Sequence, residues 1–542
     1  MELDNEQSQL ERMTKGTSTK KDATRNDQPC ERTHMVKDNE VKEEQDDSDD
    51  VQKTKKRKKG NCENPESSHN KKQREEDVIS KLLDDVLLTV LEKVNLTTAV
   101  RAGVLCTRWK HLPWSLTRLS IDVNDFLPES CTYSSVDNHI DKAMSSLTGA
   151  VRSMLDPIRR KSVITRLCIS VPLTNSYSSK IGQCVNEATE NGIVKDIELR
   201  CGVERVPGDV SDEQMVENGD AVTSFFGNYP SISCCLSSLS LYNATFRESD
   251  LHNLIANVCP QLHYLYLNQC DTGFNTLFRI DAANSKLSEL EFAYCSFEQV
   301  ELFCLPKLEQ LICGSWISRC SPFILGHVPC LKDVEIYCAM ALYHKQVKLS
   351  ELLCGTTCVN TLSLDFRGQQ IWLEPEKHQL RSAFSNLKKL CLYDIFVGFG
   401  LLWTTALLEN APSLEMLEVE VYDHLCDDEE ERNQLYAERT NAWEVSEISQ
   451  SVHLPLKELE LIGFNATEQH IVFIGAIMER ASNLETVVLK EKYCEDCSTI
   501  STATSGQCRF PKNEDEQDVV VNNIRNRFSS NAQVIFRDHD SE

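Results

Sequence analysis

The hexapeptide LSSLSL, Leu236 to Leu241, has apolar residues at its first, fourth and sixth positions. Alone it is weak evidence, but the spacing recurs. It appears at Leu262/Leu265/Leu267, Leu287/Leu290/Phe292, Leu331/Val334/Ile336, Val359/Leu362/Leu364, Leu387/Leu390/Leu392 and Leu414/Leu417/Val419. Leu308/Leu311/Cys313 fits with a weaker third position. From Leu236 to Leu414 the starts are 26, 25, 21, 23, 28, 28 and 27 residues apart. Near-regular self-similarity of this kind marks a repeat architecture. Each unit supplies one short strand and a return segment. No unit can bury its apolar face alone, so neighbours must stack.

The expected fold is therefore an α/β repeat, an irregular solenoid with a parallel strand stack. Its period is that of a leucine-rich repeat, and Cys270 and Cys295 fall at the position where that repeat carries a cysteine. Further units lie at Leu456/Leu459/Leu461 and Leu484/Val487/Leu489. Earlier candidates are Leu116/Leu119/Ile121, Ile164/Leu167/Ile169 and Val194/Ile197/Leu199. Some returns read as helix: ESDLHNLIANVCPQL has Leu251, Leu254, Ile255 and Val258 at helical spacing. The array is expected over 116–450, with an acidic insertion at 423–440 (DDEEERNQ, Asp427–Gln434). A terminal repeat follows over 451–492, and residues 493–542 read as a polar, acidic tail ending in VIF, Val534–Phe536.

The chain has 542 residues, 41% of them apolar, and a net charge of −26. That charge argues against non-specific binding to nucleic acid or anionic membrane. No run is apolar enough to span a bilayer, and the first residues lack the layout of a secretory signal. The 24 cysteines are scattered, many inside apolar runs, and read as small buried hydrophobes in a reducing compartment.

Residues 1–76 are polar and charged, with 17 Lys+Arg against 19 Asp+Glu, and are expected to be disordered. Within them Lys55, Lys56, Arg57, Lys58 and Lys59 form a basic run, and KKQR follows at Lys71–Arg74. Such clusters in an exposed arm suit nuclear import, which makes the expected location the nucleus, the cytoplasm or both.

The next stretch, ISKLLDDVLLTVLEKV (Ile79–Val94), carries an apolar helical stripe, and NLTTAVRAGVLCTRW continues as helix-prone sequence with Thr97 or Thr98 as N-cap. HLPW then breaks the helix, and SLTRLSIDVNDF reads as a strand.

Residues 77–115 resemble an F-box, a small all-helical domain. The resemblance rests on Ile79, Leu82, Asp85, Val86, Leu87, Val90, Leu91, Ala99, Val104, Cys106 and Trp109. The family usually has Pro where this chain has Leu83. Pro in a first turn presets the helical dihedral, so its absence bears on partner affinity. HLPLKELELIGFNATEQHIVFIGAIMERASNLETVVL (His453–Leu489) resembles the FBD-type end of plant F-box/leucine-rich-repeat proteins.

The resemblance implies a substrate-recognition subunit of an SCF-type ubiquitin ligase. A Skp-family adaptor, and through it cullin and RING subunit, would dock on Ile79, Leu82, Leu83, Val86, Leu87, Val90, Leu91, Val104 and Trp109. On that view Leu82, Leu83, Val86, Leu87 and Leu91 face outward. The repeats would hold a protein client, with no catalytic residue, metal or cofactor in this chain. The alternative is a repeat scaffold with a degenerate F-box, acting outside a ligase.

Residues between the inward-facing leucines should line the concave face of the array. Tyr264, Tyr266, Glu289, Glu291, Asp333 and Glu335 fall there, with Glu418, Glu420, Glu458 and Glu460 further on, an acidic strip suited to a basic client segment. Enzyme motifs are weak. GFG at Gly398–Gly400 lacks the rest of a phosphate loop, and Cys494/Cys497 lack a second ligand pair for zinc.

Overall fold

Parallel strands cannot be joined by tight hairpins, so each needs a crossover back to its starting edge. The described strands of one sheet are joined by thirteen such crossovers. A computed structural model describes residues 82–104, 107–128, 139–173, 175–202, 209–273, 276–316, 318, 320–338, 346–356, 358–376, 379–423, 453–492 and 510–538. The chain divides into two units, Met1–Leu87 and Leu88–Glu542. The basic run Lys55–Lys59, Ile79, most of the 423–440 insertion and Cys494/Cys497 lie outside the described residues.

In the first unit the described residues are 82–87. They open the helix Asp84–Leu91, whose first turn carries Asp84 and Asp85 against the positive end of the helix dipole.

The second unit holds the repeats. Its strands are β1 (Arg118–Asp122), β2 (Arg166–Val171), β3 (Ile197–Cys201), β4 (Leu236–Thr245), β5 (Tyr264–Asp271), β6 (Leu277–Asp281), β7 (Glu289–Ala293), β8 (Gln299–Cys304) and β9 (Gln310–Trp316). They continue with β10 (Phe323–His327), β11 (Asp333–Cys338), β12 (Thr361–Asp365), β13 (Lys389–Phe396), β14 (Met416–Tyr422), β15 (Glu458–Ile462), β16 (Thr486–Lys490) and β17 (Gln533–Arg537). All but β6, β8 and β10 form one parallel sheet in chain order, and those three form a second. Every repeat hexamer expected from the spacing coincides with a strand of the large sheet. Its apolar triads are buried in ladders, and Cys313, the weak position, is as buried as the leucines.

The return segments follow their length. The shortest intervals, 25, 21 and 23 residues, are the three that hold β6, β8 and β10. A strand advances more than twice as far per residue as a helix, so a short return must run extended. Longer returns contain helix, as in Asp212–Asn228 and in Glu248–Asn253 with its π turn Leu254–Val258.

Six strands, β4, β5, β7, β9, β13 and β15, turn their corner the same way. Asn243, Gln269, Tyr294, Ser315 and Asp394 all have φ near +50°, and each stands two residues past the third apolar residue of its triad; Gly463 takes the same place at φ 76°. The next residue, Ala244, Cys270, Cys295, Trp316, Ile395 or Phe464, is buried. The left-handed residue thus delays the inward position by one. It accounts for the cysteine spacing: the Cys270 and Cys295 thiols point at the carbonyls of Leu241 and Leu267 in the preceding repeats.

Three expectations are corrected. Asn95, not Thr97 or Thr98, caps the helix Leu96–Ala102, its side chain accepting from the Thr98 amide at 2.9 Å. The strand after HLPW ends at Asp122, whose carboxylate accepts from the Asn124 amide and starts a 3-10 turn, Val123–Phe126. The 493–542 segment is no simple tail: Glu514–Arg527 is a helix and β17 pairs with β16.

The helix Glu468–Arg480 buries His470 against Phe464, and the Asn465 amide donates to its Nδ1. Burial pulls this imidazole down from 6.5 to about 4. The unfolded chain therefore binds the extra proton first. Stability from this site is full above pH 6.5 and is lost as pH falls toward 4, at about 1.4 kcal/mol per pH unit across the window. Denaturant melts at pH 7, 5.5 and 4.5 check this, with His470→Gln expected to flatten that part of the profile.

Candidate functional site

Successive residues of a strand point to opposite faces, so burying the leucines exposes their neighbours in rows that cross the sheet. One row runs Tyr264, Glu289, Gln310, Asp333, Thr361, Lys389 from β5 to β13. The next runs Tyr266, Glu291, Ile312, Glu335, Ser363, Cys391, Glu418, Glu460 from β5 to β15. Tyr264, Tyr266, Glu289, Glu291, Asp333 and Glu335 are thus brought together in two adjacent rows on one face.

Hydroxyls tie the acidic half together. Tyr264 donates to Glu291 Oε2 at 3.0 Å, Tyr337 donates to Glu335, and Asn268 Nδ2 donates to the Tyr266 oxygen at 2.7 Å. The Tyr242 and Tyr266 rings meet edge to face at 5.6 Å. Burial and the adjacent carboxylates push the Tyr264 and Tyr337 phenols well up. Both remain donors at neutral pH.

The later half is neutralised by lysines. Lys389 Nζ lies 2.9 Å from Glu418, which also accepts from Tyr393. Lys490 lies 2.6 Å from Glu460. Lys492 lies 2.6 Å from both Asp394 and Glu420, with its ammonium over the Tyr422 ring. The acidic strip is therefore shorter than the sequence suggested, ending near β11. Sequence reasoning missed Tyr242, Tyr337 and Tyr393, although each follows the third apolar residue of its triad and must share this face. It also passed over Lys389, which occupies in its repeat the place of Asp333.

The N-terminal helices divide their apolar residues. Leu83, Val86 and Val90 are 69%, 41% and 47% exposed, and Val104 is more exposed still. Leu87, Leu91 and Trp109 are buried within the chain, which corrects the outward reading of Leu87 and Leu91. Leu82 is half-buried. Leu87 and Leu91 are four residues apart and form one row, while Val86 and Val90 form the adjacent row about 100° away. A stripe that looks single in sequence is thus two rows with different surroundings.

Among the described residues no group of three or more His, Cys, Asp and Glu side chains is placed to hold a metal ion. None of their helices is long and apolar enough to cross a membrane.

A long parallel sheet of strands at this spacing, with side chains in rows on its outer face, defines a leucine-rich-repeat protein, a class that works by binding other proteins. The model of the family described as At1g61320/AtMIF1, LRR domain, matches residues 225–525. The chain belongs to this family and is a plant leucine-rich-repeat protein. No curated protein matches it.

Proposed function

We propose that the chain is the substrate-recognition subunit of an SCF-type ubiquitin ligase. The observation that carries this reading is the exposed aliphatic row Leu83, Val86 and Val90, in an F-box-like segment that precedes a leucine-rich-repeat array in the sequence. That row would meet the Skp-family adaptor, and the repeat face would hold the client. On this reading β15, the helix Glu468–Arg480 and β16 are the FBD-like end, and the basic arm serves entry to the nucleus. The chain then needs no cofactor and makes no bond itself. Its contribution is the effective concentration of client near the charged enzyme.

Burying one aliphatic side chain contributes roughly 1.5–3 kcal/mol. Leu83→Asp with Val86→Asp is therefore expected to weaken adaptor capture at least a hundredfold, with the melting temperature of the repeats unchanged. Undiminished co-purification of adaptor with this double variant would sink the docking reading. Leu87→Asp and Trp109→Ala are unsuited to the purpose, because both residues belong to the chain's own core.

The buried Leu87, Leu91 and Trp109, with Leu83 in place of proline, favour a second reading: a repeat scaffold acting outside a ligase. Co-purification of cullin, and accumulation of a client when the protein is removed, separate the two.

The acidic, tyrosine-bearing half of the sheet face suits a basic client segment. Glu289→Lys with Asp333→Lys is expected to weaken capture of an Arg/Lys-rich peptide about tenfold and to reduce its salt dependence. Equal binding by wild type and variant in titrations at two salt concentrations removes this part of the proposal.

A further inference from the structure

Away from the sheet face, a cleft of about 250 Å³ opens between the helix Leu96–Ala102, the 3-10 turn holding Trp114, the turn ending at Phe126, and the helix Ile140–Leu155. Its wall is apolar, made by Leu96, Val100, Trp114, Phe126 and Met154. The polar groups near it are already engaged within the fold. Trp114 Nε1 donates to the Ser153 carbonyl at 3.1 Å, and Thr97 Oγ1 donates to the Asp125 carbonyl. What enters the cleft must therefore be apolar.

The rim has a different chemistry. Arg101 lines the cleft, is exposed, and has no ion pair among the described residues. Arg159 places its guanidinium 5.9 Å from the centre of the Trp114 ring while keeping a side contact with Asp156. The surrounding sequence is basic as well: Leu88 to Leu173 holds 11 Lys+Arg against 7 Asp+Glu, in a chain whose net charge is −26. Asp125 lies at the other end of the Leu96–Ala102 helix from Arg101, accepting from the Leu96 amide. The apolar surface also reaches beyond the cleft, since Val100 both lines it and is substantially exposed. A small molecule would leave that part uncovered.

We infer that this cleft is a docking site for an acidic polypeptide segment of a partner, with one bulky apolar side chain in the cleft and its carboxylates against Arg101 and Arg159. The site holds whether or not the chain serves a ligase.

Fluorescence anisotropy on the full chain tests it with labelled heptapeptides, Asp-Glu-Asp-X-Asp-Glu-Asp, where X is Trp, Leu or Ala, and with Asn/Gln-flanked controls. Saturable binding is expected for X as Trp or Leu, at least tenfold weaker for Ala and for the uncharged controls. Ala150→Leu, which fills the cleft from a half-exposed position, is expected to weaken the Trp peptide tenfold. Arg101→Glu, at an exposed site that leaves folding intact, is expected to do the same and to flatten the salt dependence. The inference is overturned if no peptide saturates, if Ala binds as well as Trp, or if both folded variants bind like wild type.

Discussion

Trp372→Ala is expected to destabilise the repeat array by about 3–5 kcal/mol, the cost of emptying a large aromatic site that neighbours cannot refill. Trp372 is among the largest fully buried side chains. It meets Trp316 edge to face at 6.0 Å and Phe366 at 5.7 Å, and Phe366 in turn meets Trp403 at 5.8 Å. Its indole nitrogen faces the Asp365 carbonyl. The cluster thus joins the end of β9, the segment after β12 and the 3-10 turn Leu402–Thr404. Stability in a repeat array is a sum of unit and nearest-neighbour terms, so the loss should fall on the repeats around the site. Urea unfolding followed by circular dichroism is expected to show a lower, broader transition. A midpoint within error of wild type would contradict the account of this cluster.

Lys492→Met is expected to cost about 3–4 kcal/mol, in the range for removing one partner of a buried ion pair. Lys492 is largely buried, yet Asp394 and Glu420 hold its ammonium above the usual lysine range. Methionine keeps most of the stem and removes the charge, leaving two carboxylates on the sheet face with no nearby cation at 2.6 Å. Urea melts at pH 7 check the size, and a variant as stable as wild type would refute the clamp.

The strands were legible because each triad must bury its apolar face on the neighbouring unit, and that demand writes a period into the chain. Even Cys313 kept its strand, since two good positions and the stacked neighbours outweigh one small residue. Among the returns, ESDLHNLIANVCPQL was legible as helix from its spacing, whereas the extended returns were not. Their state follows the number of residues left for the crossing, as β6, β8 and β10 show. The last repeat was hidden because β17 offers only Val534, Ile535 and Phe536 after a polar helix with few buried residues, Val520 and Ile524. At the N-terminus the stripe was read as one face because helical spacing cannot tell a row against the chain's own core from the row beside it. On the sheet face the six predicted residues did converge. The lysines that close the acidic strip were less visible: Lys492 lies beyond its strand, and no in-strand spacing places it beside Asp394.

The left-handed residue at these six corners has one further consequence. By ending its strand with a fixed turn, it resets the alternation of side chains before the return begins. An insertion or deletion in a return therefore stays local and cannot flip the next strand inside out. Intervals from 21 to 28 residues follow these six corners on one sheet. Evolution can exchange a single recognition row, or lengthen a single loop, while every other row keeps its address.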